Sequence, residues 1–401
     1  METKYQLKFV STGYHNIKFI VFILYNMSYV FYMLGFINRI IYLMLLFLFL
    51  SVCILEYVVK NSGVFGKKED CFWHEFLRAM LIVVVFLCVS GCIQIFHGGL
   101  KSFLISELLY NIIPPALAFF WINTSYREER YTYFLVFALR NVLYFLISNV
   151  GNLSLSNILA ISWGDSKSSV FETPYAHDFF FLEIIFFYFK KKKLAILCML
   201  LCMLNFKRIS FILSLCVFIF CVLFEHNNIF KSFFSKFTYV KSSVRYIILL
   251  ILCLMPFLID LAISDVGLAF FEKNMGIDLN EFTTGRVGII RYTIKNIGFF
   301  NGYGSSDYFL ENSDNPTFRL LGSMHCDILR IYLETTMIGV FVYFKEMIEI
   351  AKRSWLIFCM LMYLFLELIF SHFLDVLGVW TMFFMFVATI YAEQKESLEV
   401  M

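Results

Sequence analysis

A chain of 401 residues that is 60% hydrophobic and 16% charged, with a mean hydropathy of +0.77, falls outside the ordinary soluble class, where about a quarter of residues are charged. The net charge of +3 gives no basis for nucleic-acid binding, and the eleven cysteines, none in a CxxC, suggest neither a zinc site nor a redox pair. What remains is an all-α, polytopic integral membrane protein, read as one transmembrane domain over residues 1–401.

In chain order, apolar runs of helix length fall at 19–37, 41–59, 78–96, 103–123, 131–149, 176–189, 194–205, 209–224, 246–264, 328–344, 355–371 and 376–392. The first follows a basic start and has no small-residue cleavage site, so it is expected to be retained as a helix. Pro114 and Pro115 are expected to kink the fourth. The sixth and seventh are short against the ~20 residues that a straight crossing needs. With about twelve crossings and a cytoplasmic N-terminus, most of the 33 Lys and Arg lie on the inner side, as the positive-inside rule requires, and both termini are cytoplasmic.

Two outer loops follow from this topology. The smaller, 150–175, is rich in Ser and Asn. The larger, 265–327, lies between the ninth and tenth helices and is expected to be partly helical, because loops of such length are usually functional or structured. It carries Lys273, Arg286, Arg291, Lys295 and Arg319 on a face that normally lacks basic residues. An anionic ligand accounts for them, and so do ordinary salt bridges to Asp265, Glu272, Asp278 and Glu281. Thr283 or Thr284 is placed to cap a helix over roughly 285–297. Arg286 then stands near its N-terminus, where the helix dipole disfavours a cation and a ligand contact gains weight. NGYGSSD, 301–307, reads as a turn and lacks the spacing of a nucleotide loop.

SMHCDILRIYLETTMIG, 323–339, opens the tenth helix. Asp327, Arg330 and Glu334 share one helical face at i, i+3 and i+7, with His325 above them. Charges inside a membrane helix pair or face a cavity, so this stripe is either a site lining or a clamp between helices. Arg208, in FKRISF, begins the eighth helix on the outer side, the same side as the long loop. Arg140 and Glu367 read as paired polar groups within the bundle. His372 and Asp375 either line the same outer mouth as His325 or form an exposed turn.

TGR at 284–286, GYG at 302–304, HCDILRIYLETTMIG at 325–339 and FKRISF at 206–211 together resemble the bacterial O-antigen and capsular repeat-unit polymerases (Wzy type). The likeness in residues covers roughly 205–340; the first half resembles that family in hydropathy only. The resemblance implies a glycosyltransferase of the inner membrane working at the periplasmic face. It would transfer a growing chain from undecaprenyl diphosphate to the non-reducing end of a new lipid-linked repeat unit, without metal or other cofactor. On the matching positions, Arg208 and Arg286, with Arg291, would hold the diphosphate, and His325 would act on the acceptor hydroxyl as base or orienting group. Asp327, Arg330, Glu334, Tyr303 and Gly304 would bind substrate or support those that do. Implied partners are lipid-linked oligosaccharides, membrane lipid, and a chain-length regulator and flippase of the same pathway. His325-Cys326 departs from the His-Asn of O-antigen ligases. Ligase remains an alternative, as does a flippase or other transporter of lipid-linked oligosaccharides, although no internal repeat supports the latter.

Overall fold

The computed structural model describes residues 2–61, 70–97, 105–152, 175–205, 207–223, 239–283, 285–316, 319 and 322–399. Most of the smaller outer loop, together with Lys167 and Thr284, lies outside the described residues. Within them the chain is helical and no strand occurs. In order the helices are α1 (Glu2–Met33), α2 (Arg39–Lys60), α3 (Trp73–His97), α4 (Ile105–Thr124), α5 (Arg127–Asn149), α6 (Ala176–Tyr188), α7 (Lys192–Asn205), α8 (Arg208–Leu223), α9 (Ser242–Ile263), α10 (Asp265–Met275), α11 (Leu279–Phe282), α12 (Arg286–Ile297), α13 (Ser305–Glu311), α14 (Asp327–Ala351), α15 (Trp355–Phe370) and α16 (Leu377–Glu399). Among the described residues, five helical stretches are long and apolar enough to cross a membrane: Asn16–Met33, Arg39–Lys60, Trp73–Phe96, Arg127–Asn149 and Ser242–Ile263. This is a helical membrane protein. The 13 residues of α6 and 14 of α7 each rise only about 20 Å, less than the ~30 Å hydrocarbon core, so length alone does not make either a crossing.

The chain forms two compact units: 1–73 with 113–236 and 378–401, and 74–112 with 237–377. The first holds its polar groups in pairs. Lys18, fully buried, meets Glu56 at 2.8 Å and donates to Thr124. Arg140, also fully buried, donates to Asp178 and to Asn141 (2.9 Å), with its guanidinium 4.8 Å from the Tyr29 ring. The expectation that Arg140 is a paired bundle residue therefore holds. Every residue of α6 from Ala176 to Phe186 is buried, so this short helix packs against protein on all faces.

In the second unit the long loop is largely helical, as expected, comprising α10 to α13. Ser264 ends α9 and caps α10, its hydroxyl accepting the Gly267 N–H at 3.1 Å. The N-cap of α12 is Gly285 rather than a threonine; Thr283 instead closes α11, and its hydroxyl accepts from Val287 at 3.4 Å. Ile263, Val287, Ile289, Ile290, Leu310, Met324, Cys326, Leu329 and Leu333 form one apolar core that fastens α12 and α13 to the N-terminal half of α14.

α14 is broken at Thr336, which has φ 66° and ψ −177°. A break inside a helix frees carbonyl groups that need donors from elsewhere. The loop after α12 satisfies them: Phe300 N–H donates to the Leu333 carbonyl (2.5 Å) and Gly302 N–H to that of Glu334 (3.1 Å). Tyr303 N–H then donates to Ser90 of α3 (2.9 Å), and its buried hydroxyl accepts from Asn111 of α4 (2.9 Å). Gly302 has φ 93°, and a Cβ there would lie 3.4 Å from the Gln94 amide. Its replacement by alanine is expected to cost about 1–3 kcal/mol. The thermal midpoint of purified G302A in detergent should fall accordingly, and amide exchange at 300–303 should quicken.

Candidate functional site at the N-terminal end of α14

Arg330 is fully buried in the first turns of α14 and is ringed by carboxylates. Asp307 lies at 2.7 Å, Glu107 at 2.8 Å, Glu334 at 3.3 Å and Asp327 at 3.8 Å, and the Tyr303 ring centroid is 5.6 Å away. The helical spacing of Asp327, Arg330 and Glu334 thus pairs them as anticipated. Each remaining carboxylate also has a local reason to be there. Glu107, Asp307 and Asp327 all occupy the first turn of a helix, where the backbone dipole favours negative charge. Glu334 accepts the N–H groups of Gly304 (2.8 Å) and Ser306 (3.0 Å), so the GYG turn is held from beneath by a carboxylate. Asp327 accepts those of Phe373 and Leu374 (2.7 Å), which fixes the turn between α15 and α16.

That turn carries His372. Its Nδ1 lies 2.9 Å from Asp327 and its Nε2 3.1 Å from Asp375. A ring with a carboxylate at each nitrogen donates from both, which is the imidazolium. Burial by itself would depress its pKa; Asp327 and then Asp375 reverse this and hold it well above the usual histidine range. Asp307 is moved up as well, away from an ordinary carboxyl. Burial, against the pull of Arg330 and His372, raises it to about 7.

His325 stands 6.4 Å from His372, ring centroid to ring centroid, with the planes at 78°. Its backbone has φ 53°, a left-handed conformation that is uncommon outside glycine and concentrates at functional positions. Burial, then the charges of Arg286 and His372, lower its pKa to about 4, so the ring is neutral at ordinary pH. Arg286, the first residue of α12, donates to the Phe370 carbonyl, two residues before His372. Arg286, His325 and His372 therefore gather at one mouth, with the Arg330 cluster beneath. His372 and Asp375 therefore stand in a partly buried turn, with His372 beside His325, rather than in an exposed one.

Two other expected positions remain. Arg291 is exposed and pairs with exposed Asp265, the salt-bridge alternative for that residue. Arg208 begins α8 in the first unit, and its side chain lies outside the described residues. Sequence reasoning overlooked Glu107, which is visible only as an acid in ISELLYN, and gave Asp307 no role beyond its turn. Among the described residues no group of His, Cys, Asp and Glu could hold a metal ion. Comparison of the chain with protein-family models, with curated proteins and with solved structures finds no match.

Two outcomes follow. Arg330→Met leaves buried carboxylates without their cation and should cost about 3–5 kcal/mol, seen as loss of folded protein in size-exclusion and thermal assays. Folded Asp307 keeps a proton up to about pH 7 that the unfolded chain, with its carboxyl near 3.8, has released. Its contribution to stability is therefore lost as pH rises from about 4 through 7, and thermal midpoints of D307N should fall less steeply across that window.

Proposed function

We propose that this chain is a metal-independent membrane glycosyltransferase of the O-antigen or capsular polymerase type. It extends undecaprenyl-diphosphate-linked repeat units at the periplasmic face of the inner membrane, with about twelve crossings and both termini cytoplasmic. The observation that carries this reading is the mouth itself: a neutral imidazole, His325, on left-handed backbone, between the cations Arg286 and His372. The ordered sequence motifs supply its chemical sense.

In the proposed reaction the acceptor hydroxyl oxygen attacks the anomeric carbon of the donor sugar. The bond from that carbon to the diphosphate oxygen breaks, and the hydroxyl proton passes by way of His325 to solvent. Arg286, with its planar fork of donors, suits the departing phosphoryl oxygens, whose charge grows in the transition state. A diphosphate bound beside Arg286 also offsets the positive charge that depresses His325, which raises its basicity when substrate is present. Arg208, by the resemblance, joins in holding the diphosphate. Asp327, Arg330 and Glu334 act one layer below, fixing the 372–374 turn and the GYG turn.

One observation favours the alternative of a lipid-linked oligosaccharide transporter. α14 is discontinuous, with a loop docked into its break, as in transporters that bind cargo at such breaks. Reconstitution separates the two. Purified protein in liposomes with its lipid-linked repeat unit should lengthen glycans without nucleotide sugar or divalent metal. H325A and R286Q should each lose about 100-fold or more of that activity while remaining folded. Movement of the lipid-linked unit across the bilayer without extension supports the transporter instead, and full activity in both variants overturns the site.

A further inference from the structure

α10 opens the long loop, yet the face it turns away from the protein is apolar. Leu268 packs against the core that holds Ile263, Val287 and Leu329. Val266 and Phe270 stand two residues to either side of Leu268, about 200° round the helix, and so occupy the opposite face. There they are 76% and 52% exposed. A helix that lies on a core in water turns polar residues to that face. The proposed reaction uses neither side chain. We propose that α10 is an interfacial helix, with its Val266–Phe270 face resting in the bilayer at the boundary between headgroups and acyl chains.

Three observations name the bilayer as what covers this face. The first is continuity. α9, one of the stretches able to cross a membrane, buries Leu249, Leu252, Pro256 and Ile263 on one side. Along the other it exposes Tyr246, Leu250, Leu254, Leu258 and Leu261, an apolar stripe at steps of three and four that runs most of its length. A stripe of that extent on a membrane helix faces lipid. Val266 follows five residues after Leu261, with only Ser264 and Asp265 polar between them. The second is depth. The 22 residues of α9 rise about 33 Å, close to the ~30 Å hydrocarbon core, so its end at Ile263 falls at an edge of that core. α10 stays at this level. A Cβ at Gly267 would strike the carbonyl groups of Leu261 and Ala262, so the first turn of α10 presses on the last turn of α9. Leu279, beyond α10, returns to the same core as Leu268.

The third is the polar edge. Lys273 is exposed, three residues after Phe270 and seven after Val266, on the flank of the same strip. Its long stem brings the ammonium to the level of the lipid phosphates while Val266 and Phe270 lie deeper. Asp265 pairs with Arg291 of α12 at 2.5 Å. Through this pair and the shared core, the membrane contact of α10 sets the height of α12, and of Arg286 at its start, relative to the bilayer. This placement depends on the chain being a helical membrane protein and not on the proposed reaction.

The test uses the full-length protein in nanodiscs of phosphatidylethanolamine and phosphatidylglycerol. The photoreactive residue p-benzoylphenylalanine replaces Val266 or Phe270 in separate variants. Leu254, mid-way along the exposed stripe of α9, is the lipid-facing reference, and Glu272, exposed on another face of α10, is the reference off the strip. After irradiation, mass spectrometry of the intact protein counts phospholipid adducts. Adducts at 266 and 270 should match those at 254 and exceed those at 272 about tenfold. Should a variant fail to stay monodisperse, F270W replaces it, and brominated phosphatidylcholine must quench the added fluorescence as strongly as in L254W. Crosslinks between two protein chains at 266 and 270 identify a second copy as the occupant and overturn the proposal. Lipid adducts no more frequent at 266 and 270 than at 272, or no quenching in F270W, overturn it as well.

Discussion

A guanidinium buried completely in a helix of a membrane protein has to be surrounded by its own counter-charges, and Arg330 is. Its five donors draw in Glu107, Asp307, Asp327 and Glu334, and those carboxylates come from three helices: α4, α13 and α14, the last contributing twice along one face, and the turn beyond α15 joins through Asp327. Four carboxylates exceed one arginine. The surplus is dispersed by backbone N–H groups of residues 304, 306, 373 and 374, by the charge on His372, and by the proton that Asp307 retains. The cluster is thus a clamp, and it also fixes the electrostatics of the surface above it. His372 must be cationic because of Asp327 and Asp375, and a cationic His372 helps keep His325 neutral.

The same cluster ties the mouth to the break in α14. Glu334 accepts from the turn that begins α13 with its side chain, while its backbone carbonyl accepts from Gly302. One residue therefore supports the GYG turn twice, just before the helix breaks at Thr336. The irregular backbone lies where protein rather than lipid can satisfy it. Rigid support beneath with a half-exposed imidazole on top is the division expected of a site that must hold its geometry while admitting a large substrate.

Much of this was legible in advance. The stripe Asp327, Arg330 and Glu334 follows from helical periodicity alone, and the helical content of the long loop from its length and from a threonine placed to cap a helix near 285–297. What periodicity cannot supply is contact across the fold. Glu107 is more than 200 positions from Arg330, and no local pattern links ISELLYN to ILRIYLE. The sense of the His372 shift depends on which carboxylates reach its two nitrogens, and the turn at 371–376 leaves that open. An apolar run does not by itself mark a crossing. α6 is buried on every face, so its hydrophobicity reflects packing within the first unit as much as any lipid contact. Among the loop arginines, the sequence left a ligand and a salt bridge in balance. Arg291 takes the salt bridge, while Arg286 is held at the mouth.

The central claim is that the mouth holds two histidines in opposite charge states. Nitrogen-15 spectra of the histidine rings over a pH series test it most directly, with H325Q and H372Q assigning the two among the seven histidines. The account predicts that His325 stays neutral down to about pH 5 and gains its proton near 4, while His372 remains doubly protonated through neutral pH. Two rings titrating together near the ordinary value of 6.5 would contradict it.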